Sequence, residues 1–137
     1  MLSPNATTIR LFLHVLAAAI WVGGQFALAG VVPTLRKAAP EATGPVARAF
    51  ARLAWPAFAV LVITGLWNIA EVHVGDTSTE YQITLMIKIT LAILSGVFAA
   101  VHAVGRTKLA IAIGGSLGGL CAIGAMFFGI LLTRGTA

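Results

Sequence analysis

Residues 11–32 read LFLHVLAAAIWVGGQFALAGVV, twenty-two positions without one charged side chain. An α-helix rises about 1.5 Å per residue, so roughly 20 apolar residues cross the ~30 Å hydrocarbon core of a bilayer. This stretch is long enough to do so, and too long for the apolar segment of a cleavable signal peptide. With its flanks it makes a first span over residues 8–32, with Arg10 near one end and Pro33 as its stop. Three more apolar stretches follow at 53–69, 83–104 and 109–132. Pro56 falls near enough to the start of the second to be tolerated there. The expected fold is all-α, an integral membrane four-helix bundle making one domain over residues 1–137.

Composition points the same way. The chain is 59% hydrophobic and 9% charged, with a mean hydropathy of +0.99, whereas soluble domains are about a quarter charged. A net charge of +5 could serve nucleic acid, but the basic residues flank apolar spans instead of lining a soluble face. Nucleic acid is therefore excluded as a partner, and the lipid bilayer is the expected one.

Charge also orients the spans. Arg36, Lys37, Arg48 and Arg52 lie around the first connection, and Arg106 and Lys108 in the third. The middle connection, residues 71–81, has no Lys or Arg and holds Glu71, Asp76 and Glu80. Basic connections face the cytoplasm, so both termini and the acidic loop are expected outside a bacterial cytoplasmic membrane, N-out and C-out. The lone Cys121 excludes an internal disulfide and any Cys-rich metal site.

A polar side chain in hydrocarbon needs a partner or a ligand, which makes each one a candidate functional residue. Spans one and three run in the same direction, which places His14 and Lys88 at a common level in the outer leaflet. Ala18, Trp21 and Gln25 follow His14 at helical spacing. Thr64, Asn68 and Glu71 share one face of the second span, with Asn68 near the level of His14 and Glu71 shallower, where it could pair with Lys88. His102 lies about 21 Å along the helix from Lys88, near the cytoplasmic end and out of reach of a mononuclear site with His14. His73 sits in the acidic loop, either solvated or as a capture ligand. Met86 and Met126 lie toward the outer side, as packing residues or as soft ligands. In the last span Gly114 and Gly118, like Gly115 and Gly119, are four apart. Such faces let helices approach closely, within the bundle, in a homodimer or in a larger membrane complex.

Several runs carry a family resemblance. His14-Val15-Leu16-Ala17-Ala18-Ala19-Ile20-Trp21-Val22-Gly23-Gly24 resembles the first helix of copper resistance protein D (CopD) domains. Phe50-Ala51-Arg52-Leu53-Ala54 followed by Thr64-Gly65-Leu66-Trp67-Asn68 is similar to the second helix of that family. Tyr81, Leu85 and Lys88 match its Tyr-x-x-x-Leu-x-x-Lys helix start. The chain departs from the family after the third helix, where Val104-Gly105-Arg106 stands in place of Asn-Arg. Longer members carry twice as many helices, and this sequence corresponds to one four-helix unit. A weaker resemblance, through His14 and Lys88, is to the HemJ type of protoporphyrinogen oxidase. The Tyr- and His-rich sequence that follows the first helix of that family is absent here.

The first resemblance implies copper binding or transport, with His14, His73, Met86 and Met126 as metal ligands. Imidazole and thioether both suit copper. The second implies haem b, with His14 as axial ligand and Trp21, Asn68, Lys88 and His102 as further cofactor-binding residues. Small residues such as Ala18, Gly23 and Gly24 would leave room for the porphyrin. A third reading is a non-catalytic accessory subunit of a larger membrane complex. Enzymatic activity is expected only through a redox cofactor, since no nucleophile–base constellation or hydrolase metal motif is present.

Overall fold

The computed structural model describes residues 3–135, and among them every regular element is helical. The order is α1 (Ala6–Ala18), a π-helical segment (Ala19–Gly23), α2 (Gly24–Ala38), α3 (Thr43–Glu71), α4 (Thr79–Val104) and α5 (Lys108–Arg134). Short 3₁₀ turns at Pro40–Ala42 and Val74–Asp76 make two of the connections. Four stretches are long and apolar enough to cross a membrane: Ala6–Ala38, Pro40–Glu71, Thr79–Val104 and Lys108–Arg134. The chain divides into two compact units, the first ending at Val72 and the second beginning at His73. Each is a helical hairpin, α1–α2 with α3 and α4 with α5.

The helix starts follow local chemistry. Asn5 caps α1, its Oδ1 accepting from the Thr8 amide at 2.8 Å. Ser78 accepts from the Tyr81 amide to cap α4, and Thr107 from the Ala110 amide to cap α5. Each supplies an acceptor for an amide the helix leaves unpaired.

The burial pattern is inverted relative to a soluble protein. Large apolar side chains such as Phe12, Ile63 and Leu120 are exposed, whereas the buried set is rich in small or polar residues: Ala17, Ala54, Ala57, Thr64, Ser95 and Ala122. A lipid bilayer would suit the first group, and close helix approach requires the second.

The helices outrun the expected spans at the basic end. Pro33 was read as a stop, yet α2 continues through it to Ala38. Pro33 lacks an amide proton and so removes one helical hydrogen bond, yet Leu35, Arg36 and Lys37 beyond it favour helix. Similarly, α3 begins at Thr43, so Pro56 stands in its interior rather than near its start. Hydropathy marks the lipid-soluble part of a helix, and these helices continue into more polar sequence. At the other hairpin the agreement is closer, with α4 ending at Val104 as expected.

Within the second hairpin, glycine sets the separation of the helices. A Cβ on Gly114 would lie 2.6 Å from the His102 backbone nitrogen and 2.7 Å from the Phe98 carbonyl oxygen. One on Gly118 would touch the Phe98–Ala99 backbone at 3.4 Å. The four-residue glycine spacing thus serves packing inside this hairpin. Gly114→Ala should therefore destabilise the protein by about 1–3 kcal/mol through overpacking against backbone. Gly30→Ala, whose Cβ meets nothing within 4 Å, should be neutral or stabilising by up to about 1 kcal/mol. Thermal unfolding of the two detergent-solubilised variants checks both; equal melting shifts would contradict this assignment of the contact.

Candidate functional site

In the first hairpin α1 and α3 meet along a ladder of polar and aromatic groups. The ladder's central rung joins His14 and Thr64, whose Nδ1 and Oγ1 are 2.8 Å apart. Thr64 is 3% exposed, and its hydroxyl donates backward to the carbonyl of Val60 at 2.7 Å, with Leu61 at 3.2 Å. A hydroxyl has a single proton to give. With that proton committed to its own helix, the Thr64 oxygen accepts from His14, which places the imidazole proton on Nδ1. Nε2 is then the basic nitrogen of the ring. The ring lies against α3 beside Gly65, where a Cβ would be in van der Waals contact at 3.4 Å from His14 Cε1.

One turn toward the start of α1, Arg10 forms the next rung. It is 8% exposed, and its Nη1 is 3.2 Å from Glu71 Oε1. The same carboxylate oxygen accepts from Trp67 Nε1 at 3.0 Å. The Arg10 guanidinium also lies 5.8 Å from the Trp67 ring centre, within cation–π range. Burial of this charge is thus compensated by a carboxylate and an aromatic face, although Arg10 Nε is buried with no hydrogen-bond partner. Glu71, offered by the sequence to Lys88, is engaged by Arg10 and Trp67. Sequence reading left Arg10 out of the site. Its four-residue spacing from His14, set against Thr64, Trp67 and Glu71 on an antiparallel neighbour, is the signal that could have found it.

Further along α1 the ladder becomes aromatic. The ring of Trp21 packs at 4.4 Å on Phe58 and 5.6 Å from Trp55. Trp21 lies in the π-helical segment, where the looser turn leaves backbone carbonyls in need of donors. Gln25 Nε2 donates to the Trp21 carbonyl at 3.1 Å. The polarity of Gln25 is thereby used within its own helix. Asn68 is half-buried on α3, between the Trp67 and Glu71 positions that engage Arg10.

The remaining candidates belong to the second hairpin. Lys88 is half-buried, its stem lying over Gly129, where a Cβ would stand 3.4 Å from Lys88 Cε. The His102 Nδ1 donates to the Ile111 carbonyl at 2.7 Å, and a Cβ on Gly115 would be 2.9 Å from that nitrogen. This histidine ties the two helices together near their connection. His73 is exposed beside the Val74–Asp76 turn, and Met86 and Met126 are exposed on α4 and α5. Among the described residues no three His, Cys, Asp or Glu side chains are grouped to hold a metal ion.

Fold and site together define an all-helical protein of membrane-spanning type, with a buried polar ladder in its first hairpin. Comparison with protein-family models, curated proteins and solved structures found no match.

The Arg10–Glu71 pair has unequal burial, since Glu71 is 54% exposed and Arg10 only 10% in its side chain. Glu71→Gln should cost about 1–2 kcal/mol, less than a fully buried pair, because the guanidinium loses its counter-charge while water still reaches the glutamine. Arg10→Met combined with Glu71→Gln should recover part of that loss. Chemical or thermal unfolding of the three proteins in one detergent would show it; a double variant weaker than Glu71→Gln alone would contradict this account.

Proposed function

We propose that the protein handles copper in a bacterial cytoplasmic membrane, with His14 as its imidazole ligand in the outer leaflet. The observation that supports this reading is the His14–Thr64 hydrogen bond. Metal-ligating histidines characteristically donate their second ring N–H to a fixed acceptor, which sets the tautomer and aims the ligating nitrogen. Thr64 is such an acceptor, and Nε2 is the nitrogen that would ligate. Imidazole suits either copper valence, and thioether donors such as Met86 and Met126 suit the reduced ion. His73 would serve capture from the acidic outer loop.

Topology follows from charge in this proposal. The connections bearing Arg36, Lys37, Arg48, Arg52, Arg106 and Lys108 lie inside and both termini outside. A reporter enzyme active only outside the membrane should therefore be active when fused after Ala137. Activity of a cytoplasm-only reporter there would reverse the topology.

A second reading is haem b binding, and Arg10 is the observation in its favour. Its buried Nε–H is without a partner one turn from His14, where a carboxylate group such as a propionate could accept it. Haem would supply redox chemistry. The chain's own share would be an imidazole oriented by Thr64 and a guanidinium for the acidic edge.

Elemental analysis and the visible spectrum of the purified protein, oxidised and dithionite-reduced, decide between these. Copper bound near stoichiometrically and lost in His14→Ala is the expected result, and Thr64→Val should weaken binding roughly 10–100-fold. A Soret band that shifts on reduction and vanishes in His14→Ala would replace copper with haem. A colourless, metal-free protein made with both supplied would leave a structural subunit.

A further inference from the structure

The first hairpin ends in a basic tip that neither site reading uses. Its two long stretches, Ala6–Ala38 and Pro40–Glu71, contain 33 and 32 residues. At about 1.5 Å per residue each is close to 50 Å long, well beyond the ~30 Å of bilayer hydrocarbon. The Arg10–Glu71 rung marks one membrane level on both. Counting from Glu71, Arg52 stands about 28 Å away along α3 and Arg48 one turn beyond. Counting from Arg10, Arg36 and Lys37 stand about 40 Å away along the first stretch. All four cations therefore fall at the far headgroup layer or just past it.

These charges are not spent inside the protein. Arg36, Lys37, Arg48 and Arg52 are exposed, and among the described residues the one ion pair is Arg10–Glu71. Arg48 and Arg52 are four apart on one face of α3, an arrangement of like charges that costs helix stability. Against them the tip holds one acid, Glu41. Neither helix formation nor internal pairing explains the cluster, whereas anions of the headgroup layer would relieve its repulsion.

We propose that the α2–α3 tip, through Arg36, Lys37, Arg48 and Arg52, is a docking surface for anionic phospholipid headgroups of the leaflet at which it emerges. Each basic side chain held at an anionic surface strengthens attraction several-fold, and four at one level act together. The partner is a lipid phosphate with neighbouring anionic lipids, rather than phosphate in solution.

Native mass spectrometry of the detergent-solubilised full chain, with phosphatidylglycerol or phosphatidylcholine added, tests this directly. At low salt the protein should retain phosphatidylglycerol at least roughly tenfold better than phosphatidylcholine. The preference should fall with added salt and survive millimolar inorganic phosphate. It should disappear in R36Q/K37Q/R48Q/R52Q with helicity by circular dichroism unchanged, and persist in R106Q/K108Q. Should the quadruple variant misfold, R48Q/R52Q alone should lower the preference several-fold. Equal retention of the two lipids by the wild type, displacement by millimolar phosphate, or loss of the preference in R106Q/K108Q would each overturn the proposal.

Discussion

A polar side chain in a long apolar helix needs a partner within the protein wherever hydrocarbon would surround it, and the first hairpin is organised as that constraint demands. Thr64 meets it twice, giving its proton to the Val60 carbonyl of its own helix and accepting the imidazole N–H of His14 from the neighbouring one. Such an interhelical bond is worth about 0.6 kcal/mol and rarely above about 1.7 in a membrane. Its larger effect is directional. Once His14 is held to Thr64, the register of α1 against α3 is set, and Arg10 comes opposite Glu71 while Trp21 comes opposite Phe58. Sliding either helix by one turn would also separate the buried Arg10 guanidinium from the Glu71 carboxylate, which adds a cost of its own.

The two hairpins solve helix association by different means. In the second, the contact is steric: Gly114 and Gly118 remove side chains where α5 crosses the Phe98–His102 backbone. Ser95, 1% exposed, continues the small-residue character of α4. Van der Waals contact between backbones drives association where both lipid and protein are equally apolar. The first hairpin keeps bulky groups in its seam and pairs them specifically. Chemistry is accordingly concentrated in the first, while the second offers tight packing and a half-buried Lys88.

Much of this architecture is legible in the sequence because lipid imposes a coarse rule. Long apolar runs are the signature of spans, and each of the four observed stretches contains one, although the second begins at Pro40 rather than at residue 53. Ends were less legible, since a helix does not stop where hydrophobicity stops. Pro33 and Pro56 are strong breakers in water, yet α2 and α3 pass through both. His14, Thr64, Asn68 and Glu71 were visible as polar positions on defined faces. Their pairing was not, because it depends on which helices adjoin and at what depth. Arg10 shows the difficulty most clearly: at the end of an apolar run it reads as a cation reaching for water, whereas it is among the most buried residues described.

The π-helical segment adds a constraint that spacing alone could not supply. Regular helical spacing puts Ala18 with His14, Trp21 and Gln25 on one stripe, but the structure buries Ala17 together with Trp21 and Val22. A π turn holds more than four residues, so two adjacent side chains can face the same neighbour. This brings Trp21 onto the Trp55–Phe58 pair while His14 keeps its bond to Thr64. The irregular turn is tolerated because Gln25 supplies a donor to the Trp21 carbonyl. Polar His14 and aromatic Trp21 can thus both address α3 from a single helix, with the wider turn absorbing the mismatch between them.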